Sequence, residues 1–225
     1  MTLTTPPASA ATADRTPAST ALAWRRWAFV LTPVIGGALI TLSLAVDPAA
    51  GIDGREMLER YAARTDAQQL HTNLLHWGFG FFAVSALYVG QLVRSRGAWL
   101  ANLGVAFAFV GLITLPGLVA VDFVTSAVTQ VHGVEVTLAA EKQMDQMWGL
   151  SVFALPGMIG LIAGPVLAAA ALVRSGSARW WAPVAFLLSF VAFEVSQATW
   201  WGGVLMTAFL AAYSVALYRA SAQTS

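Results

Sequence analysis

The sequence predicts an all-α integral membrane protein: a bundle of six transmembrane helices with the N- and C-termini in the cytoplasm. Composition is the first of two observations behind this prediction. The 225 residues are 58% hydrophobic and only 10% charged, whereas soluble domains carry about 25% charged residues. The second observation is charge sorting, because ten of the eleven Asp and Glu residues fall in alternate gaps between long apolar segments or at the ends of the segments that border those gaps. Basic flanks are retained inside during insertion, so the gaps that hold arginine and neither Asp nor Glu are predicted to be cytoplasmic.

Six apolar segments approach or exceed the roughly 20 residues with which a helix crosses about 30 Å of hydrocarbon. They are predicted at about 27–46, 69–93, 98–123, 147–173, 181–197 and 200–218. Helices are expected because an open sheet would leave backbone groups unpaired in lipid. Residues 24–219 thus form the transmembrane domain, between a disordered cytoplasmic tail over 1–23 and a short tail over 220–225. The first tail lacks the order of segments found in a signal peptide.

Arginine occupies every gap that is predicted to lie inside, and carboxylates occupy the others. The inner residues are Arg25, Arg26, Arg94, Arg96, Arg174, Arg179 and Arg219. The outer residues are Asp47, Asp53, Glu56, Glu59, Asp66, Glu135, Glu141, Asp145 and Glu194, with Asp122 at the outer end of the third span. Arginine outnumbers lysine eleven to one and alanine is abundant, a composition associated with bacterial genomes rich in G and C. The predicted location is therefore a bacterial plasma membrane.

Both long outer loops are predicted to be partly helical. Asp53 and Glu56 have the spacing of a capping box, and Leu58 and Tyr61 then share one face of a helix that lies on the membrane or covers the bundle. A plain connector is the alternative. The second loop, about 130–146, alternates apolar and charged residues in a similar way.

Gly160 and Gly164 in the fourth span have a spacing that lets two helix backbones approach closely. This pattern favours packing within the bundle, and the alternative is a contact between two copies in a homo-oligomer.

Three ionisable residues are predicted inside or near the hydrocarbon, where such groups are costly and are the first functional candidates. Glu194 follows Trp181 by 13 residues and Asp122 follows Trp99 by 23, while His76 precedes Arg94 by 18. At 1.5 Å per residue these distances bring all three toward the outer face. Burial disfavours a carboxylate, so a protonated Glu194 would suit a general acid, with Asp122 as the second candidate and His76 as a partner.

Four tryptophans at the outer ends of the spans could form the aromatic wall of a site for a lipid or isoprenoid: Trp77, Trp148, Trp200 and Trp201. An interfacial aromatic belt explains the same residues without a ligand. A zinc site built from histidines and Asp122 is possible in composition, but no spacing supports it. The absence of cysteine excludes disulfides, thiol chemistry and cysteine-ligated clusters. We expect neither a metal nor a cofactor, and no partner of the nucleic-acid class.

The sequence contains no P-loop, no dinucleotide-binding glycine pattern and no hydrolase or metalloprotease motif. Three functions are compatible with what it contains. The first is a non-catalytic membrane protein with an accessory, assembly or sensing role. The second is a membrane-embedded enzyme that starts the cyclisation or isomerisation of a lipid or isoprenoid with an acid. The third is a small proton-coupled transporter with Glu194 as the titrating group.

Overall fold

The computed structural model describes residues 17–196 and 199–223, with side chains from residue 20 onward. Within these residues every regular element is an α-helix. The helices are α1 (Pro17–Val46), α2 (Gly54–Ala63), α3 (Thr65–Leu92), α4 (Ala98–His132), α5 (Val134–Asp145), α6 (Trp148–Arg174), α7 (Trp181–Val195) and α8 (Trp200–Gln223).

The long helices differ from the predicted spans mainly at their ends. α1 begins at Pro17, ten residues before the predicted start, because proline suits the first turn of a helix and the residues after it are good helix formers. The part of the predicted tail over 1–16 lies outside the described residues. α4 continues nine residues past the predicted end at Phe123. α7 ends at Val195. Of the last two residues of predicted span 5, Ser196 is not helical and residue 197 lies outside the described residues.

Neighbouring long helices run antiparallel and bring residues of like charge to the same end of the bundle. Arg25 at the start of α1 donates a hydrogen bond to the side chain of Gln91 at the end of α3. Arg26 donates to the backbone oxygen of Tyr218 near the end of α8, and Gly97 at the start of α4 lies beside the backbone of Ala171 at the end of α6. We call this the arginine end. The opposite end, which holds α2, α5 and most acidic residues, is the carboxylate end.

Glycines set the close packing of α4 against α6. A Cβ atom at Gly160 would lie 2.4 Å from the backbone oxygen of Phe107, and one at Gly164 would lie 2.6 Å from the backbone nitrogen of Ala108. Both distances are too short for a side chain, so the small residues are required for the two backbones to touch. The face that carries these glycines is occupied within the chain. A contact between two copies through the same face would require α4 to be displaced.

Aromatic side chains fill the space between α3, α7 and α8. Phe82 of α3 is fully buried, and its ring meets Phe186 and Phe190 of α7 edge to face at 5.9 Å between centroids. Phe186 in turn meets Tyr213 of α8 at 5.3 Å. Edge-to-face rings add to the stabilisation that burial provides. Through these ring contacts the short helix α7 packs against both α3 and α8.

Four of the described helices are long and apolar enough to cross a membrane: α1 from Thr20, α4, α6 and α8. Their outward faces expose large apolar side chains such as Phe109, Ile113 and Leu155, which a water-soluble surface would not present in such number. The protein is therefore a helical membrane protein. α7 is apolar but has only 15 residues, about 22 Å at 1.5 Å per residue.

Candidate ligand site at the carboxylate end

A cavity of about 520 Å³ opens at the carboxylate end, between α2 and α5 and the adjoining parts of α3, α4 and α6. Its size falls within the range typical of sites for small molecules. The lining residues are Met57, Tyr61, His71, Thr72, Val121, Asp122, Thr125, Glu141, Met144, Asp145 and Leu150. We call it the carboxylate cavity.

The two short helices are held over the cavity by their own sequence patterns. In α2 the side chain of Leu58 is almost fully buried, while Arg55 reaches Glu135 of α5 in an exposed ion pair. The helix begins directly after Asp53, as predicted, but the Asp53 side chain makes no capping hydrogen bond. α5 is fixed to the end of α4 by a buried hydrogen bond of 2.9 Å between the hydroxyls of Thr129 and Thr137.

The lining of the carboxylate cavity is acidic. Asp122 comes from α4, and Glu141 and Asp145 come from α5, whereas none of the eleven lining residues is lysine or arginine. Burial raises the pKa of Glu141, and the neighbouring negative charge of Asp145 raises it further. Because the negative charges of Glu141 and Asp145 repel each other, a cation that entered the cavity beside them would be attracted.

Behind one wall lies a buried polar network between α1 and α3. The hydroxyl of Ser43 donates to the backbone oxygen of His71 at 2.9 Å, and the same hydroxyl oxygen lies 2.9 Å from Nδ1 of His71. A histidine protonated at Nδ1 satisfies both contacts, because its N–H then donates to Ser43. Oδ2 of Asp47 lies 4.0 Å from the same nitrogen, and the Asp47 side chain is only 9% exposed.

Tyr61 of α2 connects this network with the cavity. Its ring lies over His71 at 6.4 Å between centroids. Burial raises the pKa of the Tyr61 hydroxyl, and the charge of Asp47 and a hydrogen bond to it raise the pKa further. The hydroxyl is therefore protonated at neutral pH and donates toward Asp47, and Tyr61 also belongs to the lining of the carboxylate cavity.

The structure separates the three residues that the sequence singled out. Asp122 lines the carboxylate cavity. His76 is half-buried on α3, about one and a half turns after His71 of the cavity lining. Its Nδ1 has no hydrogen-bond partner among the described residues. Glu194 is exposed on the last turn of α7. No hydrogen bond or ion pair joins any two of the three within the described part of the chain, so their catalytic roles stay predictions.

The four outer tryptophans do not line the carboxylate cavity. All four are exposed, as an aromatic belt at a membrane surface requires. Trp77 contacts the His76 ring edge to face at 5.2 Å between centroids. Their assignment to a lipid or isoprenoid site stays a prediction.

Sequence reasoning missed Asp47, Tyr61 and Glu141 as members of one site. A signal for two of them was present. Asp47 directly follows the first predicted span and Asp122 comes near the end of the third, so the sequence places both residues toward the same end of the bundle. Tyr61 shares the buried face of α2 with Leu58, which directs it toward the bundle. Nothing in the spacing of Glu141 indicates which helix it faces.

Within residues 17–196 and 199–223, no three His, Asp or Glu side chains lie close enough together to hold a metal ion. Comparison with known protein families, with curated proteins and with solved structures finds no match for this chain.

Proposed function

We propose that this chain is a non-catalytic, multi-pass protein of a bacterial plasma membrane, with an accessory or sensing role, and that its carboxylate cavity binds a small organic cation. The observation that carries the proposal is the lining: three carboxylates and no lysine or arginine around about 520 Å³. Carboxylates that surround a concave cleft concentrate their field inside it, so a cation there is attracted more strongly than on an open surface.

The arrangement of the cavity favours an extended amine over a compact ion. Asp122 projects from α4, whereas Glu141 and Asp145 project from α5, so charges spaced along one ligand can meet carboxylates on different walls. Tyr61 supplies an aromatic face for an alkylammonium group. Met57 and Met144 supply adaptable apolar contacts for the methylene groups between the charges.

The direction of the helices in the membrane belongs to the same proposal. Retention of arginine on the inner side would place the arginine end in the cytoplasm and the carboxylate cavity outside, with six passes and both termini inside. A reporter fused to each terminus tests this. Both reporters should register the cytoplasm, and reporters on opposite sides would contradict the orientation.

A proton-coupled carrier is a second candidate, and the buried network favours it. Asp47 and His71 lie beside the cavity with Oδ2 and Nδ1 4.0 Å apart, and this pair would take the role of proton carrier for which Glu194 was predicted. The enzyme hypothesis has less support, because His76 and Glu194 do not share a cavity with Asp122. Cation uptake into proteoliposomes driven by a pH gradient would favour the carrier, and saturable binding without uptake would favour the sensor.

The binding experiment uses the purified full-length protein in detergent and isothermal titration calorimetry, with spermidine as the probe and Mg²⁺ in a parallel titration. Spermidine should bind the unaltered protein. The double variant Asp122→Asn/Glu141→Gln should bind at least about tenfold more weakly, because it removes two charge-assisted contacts of roughly 1.5 kcal/mol or more each.

The matched control is Asp53→Asn/Glu59→Gln, which removes the same charges from the same end. Both control residues are exposed on or beside α2 and neither lines the cavity. Its affinity should stay within about twofold of the unaltered protein. Equal losses in the two variants would show that surface charge attracts spermidine without a site. Equal binding of Mg²⁺ would contradict the organic class of ligand.

A further inference from the structure

A second cavity, of about 800 Å³, lies at the arginine end between the start of α1, the end of α3 and the end of α8. Its polar lining includes Arg25, Arg26, Arg94, Gln91, Ser95 and Tyr88. We call it the arginine cavity. It shares no residue with the carboxylate cavity, and nothing proposed above depends on it.

The positive charge in the arginine cavity is not compensated by carboxylates. None of its lining residues is acidic, and none of its arginines belongs to an ion pair within the described residues. Arg25 and Arg94 instead donate to the side chain and backbone oxygens of Gln91. Arg26 packs its guanidinium over the ring of Tyr218 at 4.3 Å, and its buried Nε has no hydrogen-bond partner among residues 17–196 and 199–223.

Charge sorting explains why arginines occur at this end but not why three of them converge on one cavity. Guanidinium groups pair with phosphate through two parallel hydrogen bonds, and basic clefts between transmembrane helices suit phospholipid headgroups. The rim is suited to a membrane surface, since Leu22 belongs to the lining and Trp24 and Trp27 are exposed beside it. From this convergence we infer that the arginine cavity binds a phosphate group, supplied by the headgroup of an anionic phospholipid.

The test measures thermal unfolding of the purified full-length protein in detergent while ligand is added. Three ligands separate the sources of phosphate: phosphatidylglycerol, the zwitterionic phosphatidylcholine, and inorganic phosphate. Phosphatidylglycerol should raise the unfolding temperature in a saturable way, and the other two should not at the same concentration. If inorganic phosphate saturates the effect and abolishes the response to the lipid, the phosphate site stands and its source is the free ion.

The matched pair of variants is Arg25→Gln/Arg94→Gln and Arg179→Gln/Arg219→Gln. Each removes two arginines from the same end, but Arg179 and Arg219 do not line the arginine cavity. The first should need at least about tenfold more phosphatidylglycerol for half of the effect, and the second should respond like the unaltered protein.

The single variant Arg94→Lys keeps the charge and removes the planar fork, so it should also weaken the response if the double variant does not fold. Equal responses of both double variants, or no preference for the anionic lipid, would overturn the inference.

Discussion

Gly160 and Gly149 belong to the same helix, α6, yet an added methyl group would meet opposite surroundings at the two positions. At Gly160 the new Cβ would lie 2.4 Å from the backbone oxygen of Phe107 and 2.7 Å from the backbone nitrogen of Gly111. At Gly149 it would meet no atom within 4 Å. Alanine is the better helix former by up to about 1 kcal/mol at either position. A comparison of the two substitutions therefore isolates the packing of α4 on α6.

The magnitude follows from the distances. The contact energy between two non-bonded heavy atoms is most favourable when they are about 3.5 Å apart. The Cβ atom at position 160 would be about 1 Å too close to the backbone of α4, so α4 and α6 would have to separate locally by about that distance. The obstructing atoms are backbone and cannot rotate away, which places the cost near the upper end for overpacking, about 3 kcal/mol. After the helix-propensity gain of about 1 kcal/mol, Gly160→Ala should be destabilised by about 2 kcal/mol. Gly149→Ala should be unchanged or more stable by up to about 1 kcal/mol.

The assay is unfolding in mixed micelles of increasing sodium dodecyl sulfate content, followed by circular dichroism and checked for reversibility. Gly160→Ala should unfold at a lower detergent fraction than the unaltered protein, and Gly149→Ala at the same or a higher fraction. If Gly160→Ala were as stable as the unaltered protein, the close approach of α4 and α6 would be wrong. Loss of stability in both variants to the same extent would assign the effect to α6 alone.

Three further predictions concern the cavity and the core. Spermidine binding should weaken as the pH falls toward the raised pKa of Glu141, because protonation then removes an attractive charge at a higher pH than it would for an ordinary Glu. When the affinity is measured by calorimetry at a series of pH values, Glu141→Gln should remove this part of the pH dependence. Tyr61→Phe should cost about 1 kcal/mol of stability by removing the donor to Asp47 while it preserves spermidine affinity, whereas Tyr61→Ala should lower the affinity in the same titration. Phe82→Ala should lower the free energy of unfolding by about 3 kcal/mol or more, since its buried ring contacts three other aromatic rings.

The helical membrane architecture could be predicted because apolar runs and charge sorting are properties of the chain read in order. The end of α4 could not be placed by the same reasoning. Hydropathy falls after Phe123, but hydropathy marks where hydrocarbon ends and not where a helix ends. The helix continues because no residue interrupts it before Gly133, whose φ of +85° leaves the helical region. The extra turns of α4 then form a support on which α2 and α5 can pack.

The residues of the candidate site could be predicted only in part, because the sequence gives the position of a residue along a helix but not which neighbouring helix its side chain faces. Counting residues from the ends of a predicted span gives a position along the bundle, and Asp122, which was selected in this way, lines the carboxylate cavity. Lateral position depends on the direction each helix face points. His71 and His76 differ by five residues, about 140° around the helix at 100° per residue. His71 therefore faces Ser43 of α1, while Nδ1 of His76 has no hydrogen-bond partner in the part of the chain that the structure describes.

The two cavities lie toward opposite ends of α3, and α1 packs along α3 between them, which constrains how any signal could pass from one cavity to the other. α3 lines the carboxylate cavity with His71 and the arginine cavity with Gln91, while α1 lines the arginine cavity with Arg25 and ends at Val46, next to Asp47. Midway between the ends a Cβ at Gly36 would lie only 2.6 Å from the backbone oxygen of Gly78, so the two backbones are in contact. A packed contact of this kind resists gradual deformation. Coupling between the cavities would therefore require α1 and α3 to slide as units, and each ligand would then change the affinity for the other by the same factor.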